Sequence, residues 1–268
     1  MANDIIQKKE QAMQNGNGGK TLKEYIKIME PEIKKALPST ISPERFTRML
    51  VTSVSMNPKL AECSPISFIA AAMTAAQLGV TVNDPLGMSY IIPYRVHGEM
   101  QCNFQLGYRG LLNLAYRSGE IKSISAQIVY ENDKFECEFG INPILRHVPA
   151  DGERGNPVKA YAIYTTVNDG YGFDVMTIDE IKEHARKYSK NYGSGSSPWS
   201  TNFESMCLKT VLRRALKYAP LSTEFMSQIA TDNTIKNRIS EHMDEIENII
   251  DYTEIADEQQ NEEQTENK

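Results

Sequence analysis

Residues 101–130 read QCNFQLGYRGLLNLAYRSGEIKSISAQIVY, and the spacing of their apolar positions changes twice along the run. Residues 99–106 (EMQCNFQL) alternate as a half-buried strand does, whereas 108–118 (YRGLLNLAYRS) carry apolar residues at helical spacing, with Gly119 as a C-terminal stop. From 121 to 130 the alternation returns, rich in Ile, Val and Tyr. Strand, helix and strand therefore follow one another within a short span, which points to mixed α and β structure in a single domain.

Working outward, strands are predicted at about 87–96 (GMSYIIPYRV), 134–139, 144–148, 158–167 and 171–176, with His97-Gly98 and Asn168-Asp169-Gly170 as hairpin turns. Helices are predicted at about 21–30, 43–56 and 65–78. Thr21 with Glu24 forms a capping-box pattern, Ser42-Pro43 and Ser64-Pro65 open the next two, and Gly79 ends the third. The stretch PISFIAAAMTAAQLG is apolar around most of its circumference and should lie deep in a core. Further on, Thr177 with Glu180 boxes a helix at 178–189, and Thr201 with Glu204 boxes one at 202–218, closed by Pro220. Between them runs KNYGSGSSPWS, a Gly/Ser-rich loop suited to movement that holds the single Trp, Trp199. The fold class is α+β: a mostly antiparallel sheet with a β-hairpin, backed by helices, spanning residues 21–230. Residues 1–20 are polar and expected to be disordered. In 231–268, Ile235, Ile239, Met243, Ile246 and Ile250 recur at steps of four and three, predicting an amphipathic helix before an acidic tail that suits a partner.

With 268 residues and 40% hydrophobic content, the chain is long enough to bury its own core. Cys63, Cys102, Cys137 and Cys207 form no CxxC pair, so neither a zinc ribbon nor a disulfide framework is indicated, and a reducing cytoplasm fits. No apolar run has the length of a membrane span or signal peptide. The net charge of −6 is unevenly placed: residues 236–268 hold eleven Asp or Glu against three Lys or Arg, or −8, which leaves the preceding residues at +2. A polyanionic partner is thus compatible with the body of the chain.

On a helix at 202–218, Lys209, Arg213 and Lys217 advance by only about 40° per step and form one cationic stripe. Cys207, Val211, Ala215 and Tyr218 fall on the opposite side. Arg214 projects at the edge of the apolar face, where a guanidinium needs a carboxylate, a carbonyl or a phosphate. The stripe reads either as a solvated face with one structural arginine or as a track for nucleic-acid phosphates. In Gly107-Tyr108-Arg109-Gly110 the strand turns into the helix, so backbone N–H groups beside Tyr108 and Arg109 suit an anionic oxygen; alternatively both glycines serve a tight turn. Arg117, two turns on, extends the cationic surface. Tyr90, Tyr94, Phe104, Tyr108, Tyr116 and Trp199 interleave with these charges. Most are expected in the core, Phe104 with Cys102 on a buried strand face, and Tyr108 is the better stacking candidate.

Catalysis finds little support. Glu136 and Glu138 share a strand face and are the only candidates for a Mg²⁺-dependent nuclease, without a lysine to complete an acidic motif. The four histidines have no HxH or HxxxH spacing, and neither a GxSxG elbow nor a GxGxxG or Walker loop is present.

The runs QCNFQLGYRGLLNLAYRSGEIKSISAQIVYENDKFECEFG (101–140) and PWSTNFESMCLKTVLRRALKYAPLS (198–222), with the preceding IIPY strand, resemble the RecT family of phage and prophage single-strand annealing recombinases. The likeness covers about 85–225, and more weakly reaches back to about 40. It implies a non-enzymatic protein that binds single-stranded DNA, anneals it to its complement without ATP, and assembles into rings or helical filaments. The expected partners are the single strand, the annealed duplex, a phage 5′→3′ exonuclease and a host single-strand-binding protein. No cofactor is expected, and Mg²⁺ enters only as a modulator. By the same resemblance Arg95, Gln105, Tyr108, Arg109 and Arg117 fall on the hairpin and following helix, and Lys209, Arg213 and Arg214 on the basic helix. Both regions are expected to line a DNA groove, and the stripe adds Lys217. Where the family motif often reads Ala-Lys-Lys-Thr, this chain has Cys207-Leu208-Lys209-Thr210, so one basic position is missing. A passive single-strand-binding protein is the alternative reading.

Overall fold

The computed structural model describes residues 21–219 apart from His97, Lys190, Asn191 and Ser196, together with residues 235, 236, 239, 249 and 250. It divides into two compact units, one of residues 1–113 with 223–268 and the other of residues 114–222. The segment expected to be disordered, 1–20, lies outside the described residues.

The first unit is built on α3 (Pro65–Leu78), which follows α1 (Leu22–Ala36), α2 (Pro43–Met56) and a 3₁₀ turn (Pro58–Glu62). Ala-rich α3 is buried almost all round, with Phe68, Ile69 and Leu78 fully enclosed, each contributing about 1.5–3 kcal/mol of apolar burial. Gly79, at φ +62°, ends it in the left-handed conformation. The Glu24 carboxylate accepts from the Thr21 N–H at 2.6 Å, as its capping box predicts. However, α1 does not stop near 30: it runs through Pro31 to Ala36. The buried face of Tyr25, Ile26 and Met29 continues to Ile33, while Pro31 is exposed and disturbs only the outer side. Against α3 lies the antiparallel hairpin of β1 (Ser89–Val96) and β2 (Glu99–Leu106), turned at Gly98 with φ +81°. Ile91 faces Phe104 across the ladder, and Cys102, Phe104 and Leu106 carry the buried side of β2.

α4 (Tyr108–Arg117) follows β2, and Gly119 (φ +76°) lies just beyond it. In the second unit, β3 (Ile121–Tyr130), β6 (Pro157–Thr166) and β7 (Tyr171–Thr177) form an antiparallel sheet in the order β3-β6-β7. The separate hairpin of β4 (Lys134–Glu138) and β5 (Ile144–Val148) is tied to it through Asp133. That enclosed carboxylate accepts from Arg154 at 2.6 and 3.0 Å, from the Tyr130 and Ala150 N–H groups, and from His147 Nε2 at 3.0 Å. On the other side of the ring, His147 Nδ1 lies 3.3 Å from the Tyr161 hydroxyl, within hydrogen-bond distance.

α5 (Ile178–Tyr188) has the predicted Thr177–Glu180 box, with the Glu180 N–H bonded to the Thr177 hydroxyl at 3.1 Å. The next helix differs from its prediction at both ends. A short turn, α6 (Pro198–Thr201), precedes α7 (Phe203–Leu216), and Asn202 stands between them. No Thr201–Glu204 box forms, because each side chain has another partner: the Thr201 hydroxyl donates to the Ser197 carbonyl at 3.2 Å, and Glu204 accepts from the Tyr130 hydroxyl at 2.8 Å. α7 ends at Leu216, so Tyr218 sits beyond it and is 80% exposed rather than on the core face.

Past residue 220, Ile235–Lys236 pairs antiparallel with Ile249–Ile250. Both ends of the predicted amphipathic helix are therefore extended, since strand pairing satisfies their backbone groups in place of helical turns; the stretch between them lies mostly outside the described residues.

Candidate nucleic-acid interface

α7 packs on the sheet through Cys207, Val211, Leu212, Ala215 and Leu216, all buried. Burial pushes the Cys207 thiol up to about 12, so it is an inert core group. Lys209 and Arg213 are half-buried and Lys217 is exposed, placing the three on the side away from the sheet, as their spacing predicts. Arg213 and Arg214 lie in the last turn, where cations favour the helix dipole, but Lys209 is mid-helix and the dipole does not account for it. The predicted need of Arg214 is met by Asp174 of β7: Nε lies 2.7 Å from Oδ2, and the carboxylate is buried. Arg214 is thus first a structural tie between helix and sheet.

The hairpin has two unlike faces. Opposite the apolar side, Tyr90, Tyr94, Gln101 and Gln105 share a face by register, and Gln105 Nε2 approaches the Tyr94 hydroxyl at 3.5 Å. Burial raises the Tyr94 pKa against the effect of that bond. The Gln101 and Asn103 side-chain oxygens are buried with no hydrogen-bond partner among the described residues, a feature sequence reading had not singled out. Arg95 is exposed near the tip, where its guanidinium donates to the Gly98 carbonyl at 3.1 Å.

At the start of α4, Tyr108 is half-buried and Arg109 exposed, with Arg117 exposed at the other end. The Gly107 N–H donates to the Met88 carbonyl at 2.8 Å. A Cβ at Gly107 would collide with the Gly87 carbonyl oxygen, and one at Gly110 with that of Met88. Of the two readings of GYRG, the structure selects close packing of the chain on itself: the expected anion position at Gly107 is filled by the protein's own carbonyl. Trp199 is buried, its ring 6.1 Å from that of Tyr192 and 6.2 Å from that of Phe203, so it is a core residue and not a stacking surface. Tyr116 is half-exposed and its hydroxyl contacts the Ile124 backbone.

Glu136 stands opposite Arg146 in the β4–β5 ladder. Among the described residues no group of three or more His, Cys, Asp or Glu side chains is placed to hold a metal ion, and no helix is long and apolar enough to cross a membrane.

A family model, RecT, matches residues 44–264. The chain belongs to the RecT family. RecT-family proteins are annealing proteins rather than catalysts. Among curated relatives, the chain is 36% identical to Protein RecT of Escherichia coli strain K12 over 208 residues, 76% of each chain. It is 30% identical to the uncharacterized protein YqaK of Bacillus subtilis strain 168 over 269 aligned positions, covering 97% of this chain and 88% of the relative. Both RecT-like runs read from the sequence, 101–140 and 198–222, fall inside the matched region.

Proposed function

We propose that this RecT-family protein binds single-stranded DNA and anneals it to its complement without ATP, as part of phage-type homologous recombination in the cytoplasm. The observation that carries the reading is α7, whose one face is core and whose other bears Lys209 and Arg213, with Lys217 at its C-terminal cap, in a chain of this family. These three, with Arg95, Gln105, Tyr108, Arg109, Arg117 and the outward part of Arg214, supply the contacts to DNA. Base pairing drives annealing, and the protein's part is to lower phosphate repulsion and raise local strand concentration in a homo-oligomeric ring or filament. A 5′→3′ exonuclease supplies the single strands and a host single-strand-binding protein is met on them. Mg²⁺ acts only as a modulator.

Labelled complementary oligonucleotides, mixed with stoichiometric protein and no nucleotide triphosphate, test this directly. Faster annealing than in protein-free controls is expected, together with binding whose logarithm falls with log salt by about 0.7 per phosphate contact. Binding without acceleration would reduce the protein to a passive coat. Arg213→Glu should weaken binding while leaving the circular dichroism of the parent; unaltered binding in that variant would return the stripe to a solvated face.

A further inference from the structure

α5 packs beside α7 within the second unit, and it presents residues that no motif singled out. Ile178, Ile181 and Ala185 form its buried side. One turn apart on its flank, His184 and Tyr188 have ring centroids 4.7 Å apart, and Tyr188 is 45% exposed. The Lys187 ammonium lies 5.3 Å from the Tyr188 ring centre. His184 also lies in the field of Arg213 and Arg214 of α7 and of Lys217 at its cap: after burial, these three cations are what disfavour its charged form. A half-exposed aromatic ring is therefore packed against His184, which itself lies in the field of the cationic stripe. Single-strand binders combine these two elements, cations tracking the phosphates and a ring on which a base stacks without sequence preference. Trp199, by contrast, is buried, and the Tyr116 hydroxyl is engaged with the β3 backbone.

We propose that Tyr188, positioned by His184, is a base-stacking platform of the single-strand interface, with the phosphates beside that base lying along Arg213 and Lys217. The inference rests on the single-strand-binding reading above and adds a stacking subsite on α5. Stacking holds bases unpaired and evenly presented to an incoming strand, so the same ring bears on annealing as well as on binding.

The test uses the full chain with oligothymidylate. In fluorescence anisotropy, Tyr188→Ala should lower affinity by about five- to a hundredfold, the loss of one stacked base. Tyr188→Phe should bind as the parent does, and the salt slope should not change, because no phosphate contact is removed. In a second arm on the unaltered protein, an oligonucleotide carrying 5-iododeoxyuridine is photocrosslinked, and the adduct is expected at Tyr188. Parent-like affinity in Tyr188→Ala, or crosslinks that leave Tyr188 untouched, would overturn the stacking subsite while Arg213→Glu still reports on the interface. Failure of the parent itself to bind would overturn the single-strand reading, and this subsite with it.

Discussion

Gly110→Ala sets two effects of opposite sign against each other. Gly110 lies inside α4, where alanine is favoured over glycine by about 1 kcal/mol, so on propensity alone the variant would be more stable. The added Cβ, however, meets the Met88 carbonyl oxygen in hard overlap, with the Met88 carbonyl carbon at 3.0 Å and Leu106 Cδ2 at 3.4 Å. The obstacle is backbone and has no rotamer by which to retreat. Overpacking of this kind costs about 1–3 kcal/mol. Moving Met88 also threatens the 2.8 Å bond from the Gly107 N–H, worth about 1 kcal/mol. After the helix gain is subtracted, the net is a destabilisation of about 1–3 kcal/mol, or a fall in Tm of about 3–9 °C for a chain of this size. Gly119→Ala is the contrasting control: a Cβ there meets nothing within 4 Å, and only the left-handed φ of +76° opposes it, at about 1–2 kcal/mol. Thermal melts followed by circular dichroism measure both. A Tm for Gly110→Ala equal to or above the parent's would show that the 87–88 backbone yields freely, and that close packing is not why glycine is needed.

Other outcomes follow from the buried ion pairs. Arg214→Ala should destabilise the fold by about 1–3 kcal/mol, since Asp174 is left buried and unpaired, and adding Asp174→Asn should recover part of that loss in urea titrations. Arg154, above all, and three further donors hold the Asp133 carboxyl well below the usual carboxylate range. A group with a depressed folded pKa stabilises above its unfolded value, near 4, and loses that contribution as pH falls through its folded value. The stability of the parent should therefore decline on the acid side below about pH 4, more steeply than that of Asp133→Asn. His184, lowered by burial and then by Arg213, Lys217 and Arg214, is a base that resists protonation. Its contribution is present above the unfolded value of about 6.5 and is lost as pH falls from there toward the folded value. His184→Gln should flatten the stability profile in that window.

What the sequence by itself determined is local. The strands, the Thr21 and Thr177 caps, the Gly79 and Gly98 turns, and the inward and outward sides of 203–216 follow from spacing and backbone chemistry within a few residues. The same locality made the family resemblance readable, because the motifs are continuous runs. Tertiary structure decided whatever depended on a partner far along the chain. The Thr201–Glu204 pattern was a sound local signal, but Tyr130, 74 residues away, takes the Glu204 carboxylate. Gly107 and Gly110 fitted an anion site until Gly87 and Met88 were found against them. Arg214 needed some acceptor, and only the placement of β7 identified it as Asp174. His184 and Tyr188 had no motif of their own, and α7 beside them is what gives them a candidate role. Short-range propensity fixes how each segment is built, whereas the choice among competing donors, acceptors and packing partners is made by whichever group the fold brings within about 3 Å.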